Sequence, residues 1–504
     1  MMPRMPGGVL AKILDWLEPE CVLNFACAST WSSLSPEAAH CVVVARGLSR
    51  VAANVRLCRD AMFMCTAWPS TLRACRCIAL VAVAKYGLAL KYAAEPLRAD
   101  KVVVLAAVTQ NAFALQYAAE TVRADRDAVL AAVTRDAFAL QHAAEAMRAD
   151  REVVVVAVAQ RGSALQYAAG DLRANREVVL VAVARGGDAL QYASADLRAD
   201  REVVLVAVAE YGNALQYAAG DLRANREVVL AAVAQNGNAL QYACGDLYAA
   251  GDLRADREVV LVAVAQSGRA LQYAAGDLRA DRGVVLAAVA QNGNALQYAA
   301  EDLRAAREVV LVAVGNDEGW ALKYAAEDVQ ADRAVVLTAV TRHGWALKYA
   351  AEHVRADREV VLAAVANYGC ALKYAAGDLR ADREVVLVAV AECGLALAHA
   401  AEDLRADKGF MLAAVAQDGD ALRYAGGNLR ADKQLLLAAV AQDGDALRHG
   451  APALRADVEV VLVAVSQNYH AVLHAAQSLR AHDRVRRAVA TSRRLFYAAR
   501  LLRA

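Results

Sequence analysis

Surplus charge of either sign is missing from this sequence. Lys and Arg total 56 and Asp and Glu 55, for a net charge of +1 over 504 residues. A nucleic-acid coat or a binder of acidic lipid needs a large positive excess, so this balance argues against both. Long apolar runs are also missing. The longest, Cys77–Ala84, has eight residues, against the ~20 that a bilayer span requires. Met1–Leu17 carries no long apolar stretch behind a basic one, which predicts no secretory leader. The ten cysteines form no C-x-x-C pair, although seven of them precede residue 78 (Cys21, Cys27, Cys41, Cys58, Cys65, Cys75 and Cys77). Zinc-type spacing is therefore absent, and the expectation is buried, reduced thiols in a cytoplasmic or nuclear protein. There is no Gly-rich phosphate loop, nucleophile elbow or H-E-x-x-H. His470 and His474 stand four residues apart, but no further ligands converge with them. The chain thus reads as no enzyme, with no catalytic residue, metal or cofactor. Hydrophobic residues reach 58%, too many for a disordered chain.

What is present is repetition. From Cys75 the sequence recurs every 25 residues, in units beginning at 75, 100, 125, 150, 175, 200, 225, 256, 281, 306, 332, 357, 382, 407, 432 and 457. Six extra residues precede Asp256, where 246–251 reads as a slipped copy of its neighbour, and one extra residue enters Gly315–Gly319. The first position is Asp or Asn in fourteen of the sixteen units. Such a side chain caps a helix start by accepting free N–H groups of the first turn. An apolar run follows, for example Val203–Ala209, and Gly stands at the thirteenth position in thirteen units. There it is expected to take the left-handed conformation that ends a helix. A second, amphipathic helix then starts, with Ala214, Leu215, Ala218, Ala219 and Leu222 on one face, and ends at Leu-Arg-Ala. The first helix is apolar nearly all round, which predicts cover on several sides. One helix pair cannot supply that cover, so units must stack. The fold class that follows is all-α, an α-solenoid of about sixteen 25-residue helix-turn-helix repeats over 75–481, closed by a basic capping helix over 482–504.

The pattern D-R-E-V-V-L-A-A-V-x-x-x-G-x-A-L-x-Y-A-x-x-x-L-R-A-D resembles the repeats called domain of unknown function 4116, most plainly over Asn175–Asn225 and Asp357–Asp407. The resemblance implies the repeat fold and no activity. Ala112 and Ala137 in place of Gly, Ala306 in place of Asp and Tyr469 in place of Gly depart from it and predict altered cap geometry at those points.

Residues 5–34 carry a different pattern. Val9, Leu10, Ile13, Leu14 and Leu17 form one apolar helical face, Pro19 interrupts it, and Val22, Phe25, Trp31 and Leu34 resume it. This looks like an F-box. Met5 stands for the usual Leu, Cys21 for the usual Asp, and the stretch before Trp31 is one residue short. The resemblance implies an F-box-like helical head over 1–40 that docks on the adaptor subunit of a cullin-based ubiquitin ligase through Pro6, Leu10, Ile13, Leu14, Leu17, Pro19, Val22 and Trp31. An N-terminal helix pair that caps the stack would show the same amphipathic pattern. Residues 41–74 then bridge to the repeats as degenerate helices, with Leu72-Arg73-Ala74 as a remnant of a second helix.

Stacking turns each repeat position into a stripe. The eighteenth position is Tyr in twelve units and His in four (His142, His399, His449 and His474), suited to a half-buried ring with a polar tip. Gln beside Tyr resembles helical repeats that read RNA one base at a time. The 25-residue period and an Arg stripe matched by Asp and Glu argue against that use. Most variation falls beside the Gly, as in KYGL (85–88), EYGN (210–213), QSGR (266–269), RHGW (342–345) and NYGC (367–370). Drift at loop tips would produce such variety, and so would a surface that discriminates partners. The candidate partner-binding ridge is Tyr86, Tyr211, Arg269, Trp320, Trp345 and Tyr368. The expectation is a non-catalytic protein-interaction scaffold with protein partners, an F-box substrate receptor of a cullin-type ligase. The alternative is a free-standing solenoid of structural or RNA-binding type with no ubiquitin link.

Overall fold

The structure is a computed structural model that describes residues 73–74, 76–243, 252–316 and 319–501. Every regular element among them is helical. The described residues divide into two compact units, with the boundary between Leu253 and Arg254.

The repeat at 200–224, in the first unit, shows how sequence builds each element. Asp200 is extended, and its carboxylate accepts the N–H groups of Glu202 (2.9 Å) and Val203 (3.1 Å). These are donors that a helix start otherwise leaves free. The first helix runs Arg201–Glu210. A 3₁₀ segment follows over Gly212–Tyr217, then two extended residues, Ala218 and Ala219, and a single α-turn over Gly220–Arg223. The single amphipathic second helix expected from the sequence is therefore two pieces. The break has a physical reason. Extension at Ala218 and Ala219 sends the Ala219 N–H outward to the carbonyl of Arg198 in the preceding repeat, at 2.8 Å. An unbroken α-helix would spend that donor on its own fourth-previous carbonyl. The tie recurs in the second unit, where Ala376 N–H donates to Arg355 (2.9 Å) and Ala401 N–H to Arg380 (2.8 Å). At the start of the described chain, the Arg73 carbonyl receives Ala94 N–H in the same way.

The first helix of this repeat packs against the first helices before and after it, its own 3₁₀ segment and that of the preceding repeat. Val203, Val204, Ala207, Val208, Ala214 and Leu215 are fully buried. Leu205 and Val206 are only half-buried, so the cover is incomplete on one side.

Except at Gly319, beside the inserted residue, the recurrent Gly does not end the helix in a left-handed conformation. Among the described residues only Gly319 (φ 81°) and Gly427 (φ 54°) have positive φ. At Gly187, Gly212 and Gly344 the cause is a close approach instead. A Cβ there would fall inside 3.0 Å of a backbone carbonyl in the next repeat, that of Ala207, Ala232 and Ala364 respectively. Nor do the three departures at the Gly position alter the local geometry. Ala112–Tyr117, Ala137–His142 and Tyr469–His474 form the same 3₁₀ segment as the Gly repeats, behind Asn111, Asp136 and Asn468 as side-chain caps.

A lateral ladder, not foreseen from the sequence, joins the repeats at their second position. Arg176 Nε lies 3.0 Å from Asp200, and its terminal nitrogen pairs with Glu202. In the second unit, Arg358 Nε lies 3.2 Å from Asp382 and pairs with Glu384, and Lys433 Nζ lies 2.8 Å from both Asp457 and Glu459. Each capping carboxylate therefore also holds a cation of the preceding helix. The Arg76 guanidinium, with the N–H of Val103, holds the Asp100 carboxyl below its usual range. The Val284 N–H and Arg257 do so for Asp281, and the Val385 N–H and Arg358 for Asp382. A carboxyl lowered in the folded state stabilises it fully above the unfolded value of about 3.9, and that contribution is lost as pH falls through the folded value. The thermal midpoint, followed by circular dichroism, should therefore fall steeply below about pH 4. Asp357→Asn together with Asp382→Asn should flatten the fall, and a profile equally steep in that variant would remove the ladder from the explanation.

Ala306 breaks the ladder within the second unit, and Arg282 there pairs with Glu308 alone. Ala306→Asp should restore both the cap and the second ion pair and stabilise by about 1 kcal/mol. Urea unfolding of both proteins would check this, and an unchanged or lowered midpoint would count against it.

The basic segment after His482 forms one helix, Asp483–Leu501, which packs along Val458–Gln467 of the last repeat. It buries Val485 and exposes Arg484, Arg486, Arg487, Arg493 and Arg494. No helix among the described residues is long and apolar enough to cross a membrane.

Candidate functional site: the ridge beside the glycine

The variable residues flank the Gly at positions 12 and 14 of the repeat, where the first helix hands over to the 3₁₀ segment. The stacking register pairs them between neighbours. A position-14 side chain meets positions 12, 14 and 18 of the following repeat.

In the second unit this rule gathers rings. Trp320 lies 5.0 Å from His343, 6.5 Å from Tyr349 and 6.4 Å from Trp345, with the two indoles 26° from parallel. Trp345 in turn lies 5.7 Å from Tyr368 and 5.4 Å from Tyr374. Trp320 is 37% exposed, so the cluster faces solvent at that end. Such offset and edge contacts between rings are favourable and hold their geometry. Lys323, Lys348 and Lys373 sit over Tyr324, Tyr349 and Tyr374 at 5.3, 5.5 and 5.7 Å, and none has a carboxylate partner among the described residues. Cations over ring faces gain a modest attraction and stay available at the surface.

The same register operates elsewhere with other chemistry. In the first unit, Phe113 meets His142 at 5.9 Å, Phe138 meets Tyr167 at 6.0 Å, and Arg161 covers Phe138 at 5.0 Å. In the second unit, Asp420 accepts from Arg448 at 2.6 Å and lies 2.9 Å from His449. Burial pushes the Asp420 carboxyl up, but Arg448 and His449 outweigh it and hold it low. Burial also pushes the His449 imidazole down, despite Asp420, and does the same at His399, helped by Lys373 and Arg380. All sixteen ring residues at position 18 are half-buried.

Of the residues singled out from the sequence, the structure brings Trp320, Trp345 and Tyr368 together. Arg269 is exposed in the second unit, outside this cluster. Tyr86 and Tyr211 belong to the first unit, where Tyr211 is 40% exposed and its hydroxyl lies 3.5 Å from Asn213 Nδ2. His343, Tyr349, Tyr374 and the three lysines complete the cluster and were not singled out. Their columns were visible in the repeat, but the one-repeat offset that joins position 14 to positions 12 and 18 was not. The F-box-like residues Pro6, Leu10, Ile13, Leu14, Leu17, Pro19, Val22 and Trp31 lie outside the described residues, as does the bridge before Arg73.

Tandem helical units, tied by backbone and ion-pair ladders and varied mostly along one edge, define a helical-repeat protein. A family model described as Domain of unknown function (DUF4116) matches residues 75–123, 125–173, 150–198, 175–223, 200–248, 256–304, 307–355, 357–405 and 407–455. The chain belongs to this family. No curated protein matches it.

Proposed function

We propose that the chain is a non-catalytic protein-interaction scaffold that holds a protein partner on the aromatic ridge of residues 320–374. The F-box-like residues 5–34 would dock it on the adaptor subunit of a cullin-type ubiquitin ligase, so that the held partner is presented for ubiquitination. The cluster of Trp320, His343, Trp345, Tyr349, Tyr368 and Tyr374 carries the binding half of this reading. Trp and Tyr are the side chains that most often dominate interface energetics, and a polar rim such as Lys323, Lys348 and Lys373 commonly surrounds them. The ubiquitin half rests on the sequence pattern of residues 5–34 alone.

Affinity capture with the full chain tests both halves separately. Wild type should co-purify an adaptor–cullin complex, and Leu14→Asp or Leu17→Asp should lose it. Trp320→Ala with Trp345→Ala should keep the adaptor and lose the held partner. Absence of the adaptor from wild type would leave a free-standing repeat protein with no ubiquitin link, and its retention by the Leu variants would move the adaptor contact off residues 5–34. Retention of the partner by the Trp variant would move the binding surface off the ridge.

A further inference from the structure

We infer that Cys370 and Cys393 form a reversible disulfide between adjacent repeats, a modification site set into the ridge itself. Cys370 follows Gly369 in the column that holds Trp320 and Trp345. Cys393 precedes Gly394 in the column that holds His343 and Tyr368. Their Sγ atoms lie 3.8 Å apart, and both residues are half-buried. The backbone enforces the approach, since a Cβ on Gly369 would stand 3.1 Å from the Cys393 nitrogen and 3.2 Å from its Cβ. Where neighbouring repeats set ring against ring or carboxylate against imidazole, this pair sets thiol against thiol. A disulfide needs the sulfurs at about 2.05 Å, which the side chains reach by closing roughly 2 Å.

Hydrogen peroxide is the oxidant this step requires. One thiolate sulfur attacks a peroxide oxygen, the O–O bond breaks, and a sulfenic acid and a first water result. The second thiol attacks that sulfur, the S–S bond forms, and the hydroxyl leaves with the remaining proton as a second water. Two thiols give up two protons and two electrons, and the hydrogen peroxide becomes two waters. Burial pushes the Cys370 thiol up, and its hydrogen bond with Cys393 adds to that. This slows attack by Cys370 on oxidant from bulk solvent. Capture of an oxidised sulfur already beside it is intramolecular and suffers far less. The bridge adds a cross-link between the ridge ends of two consecutive repeats, beside Tyr368 at one end of the aromatic cluster.

The test uses the full chain, treated with hydrogen peroxide, blocked with N-ethylmaleimide and digested with trypsin. Cleavage after arginine and lysine places Cys370 in peptide 359–373 and Cys393 in peptide 384–405. The expected product is the two peptides joined, lighter by two hydrogens than their sum, and separated again by dithiothreitol. Cys370→Ser and Cys393→Ser should each abolish it while leaving the circular dichroism of the protein unchanged. Recovery of both peptides singly at every peroxide dose, as blocked thiols or as sulfinic acids, would overturn the assignment. So would linkage of Cys370 to any other cysteine. Amide exchange over 367–396 should slow on oxidation of wild type and stay unchanged in Cys370→Ser. Equal exchange in oxidised and reduced wild type would overturn the tie between repeats.

Discussion

Gly344→Val should destabilise the second unit by about 3 kcal/mol, and Gly344→Ala by only about 1 kcal/mol. The first Cβ atom meets the carbonyl oxygen of Ala364, with the Cβ and nitrogen of Tyr368 beside it. Two of these three atoms are backbone, so no rotamer change clears the space. The next repeat must move outward instead, and the contacts between successive first helices loosen. The chain itself shows that one methyl can be absorbed, since Ala112 and Ala137 occupy the equivalent position, buried and within an unaltered 3₁₀ segment. A β-branched side chain adds two further methyl groups with one preferred χ1 and no open direction. Urea unfolding read by circular dichroism should show the difference. Amide exchange resolves it locally, because stacked repeats need not unfold together. Equal losses for Val and Ala would mean that the inter-repeat gap is soft and that close approach to the Ala364 carbonyl does not set the residue at this position.

That contrast marks where sequence reasoning reached and where it stopped. Period, helix starts and the buried first helix were legible because each rests on local chemistry. A carboxylate before an apolar run has few other uses, and Asp200 caps as its position predicts. The Gly column was equally visible, yet its cause lies in the neighbouring repeat, so a local rule about helix ends misassigned it. The broken second segment failed for the same reason. Ala218 and Ala219 carry no helix-breaking chemistry, and only the Arg198 carbonyl across the repeat boundary explains their extension. The ridge was half legible. Variation beside the Gly pointed to Trp320, Trp345 and Tyr368. The partners His343, Tyr349 and Tyr374 depend on a one-repeat offset that no single unit encodes. The ion pairs of Arg176, Arg358 and Lys433 were not legible, because their carboxylates stand 24 to 26 residues away in the following repeat.

Leu215→Ala should cost 2–5 kcal/mol, the range for removing a fully buried leucine with incomplete collapse of the cavity. Leu205→Ala, the same chemical change in the same repeat, should cost about 1 kcal/mol, because part of that side chain already faces water. The sequence places both in the core, Leu205 in the continuous apolar run and Leu215 on the apolar face of the second segment. The structure separates them. Leu215 has no exposed surface, and the 3₁₀ segment that carries it packs both on its own first helix, Arg201–Glu210, and on that of the next repeat, Arg226–Gln235. One truncation therefore weakens a repeat and its junction with the following one together. In a stack whose stability is a sum over repeats and junctions, the weakest junction is where the unit divides. Amide exchange in Leu215→Ala should accordingly rise on both sides of residues 212–225, while Leu205→Ala raises it only within its own first helix. Comparable losses for the two variants would mean that the junction contributes no more than the outer face. The nearest-neighbour account of this unit would then have to give way to one in which each repeat holds itself together.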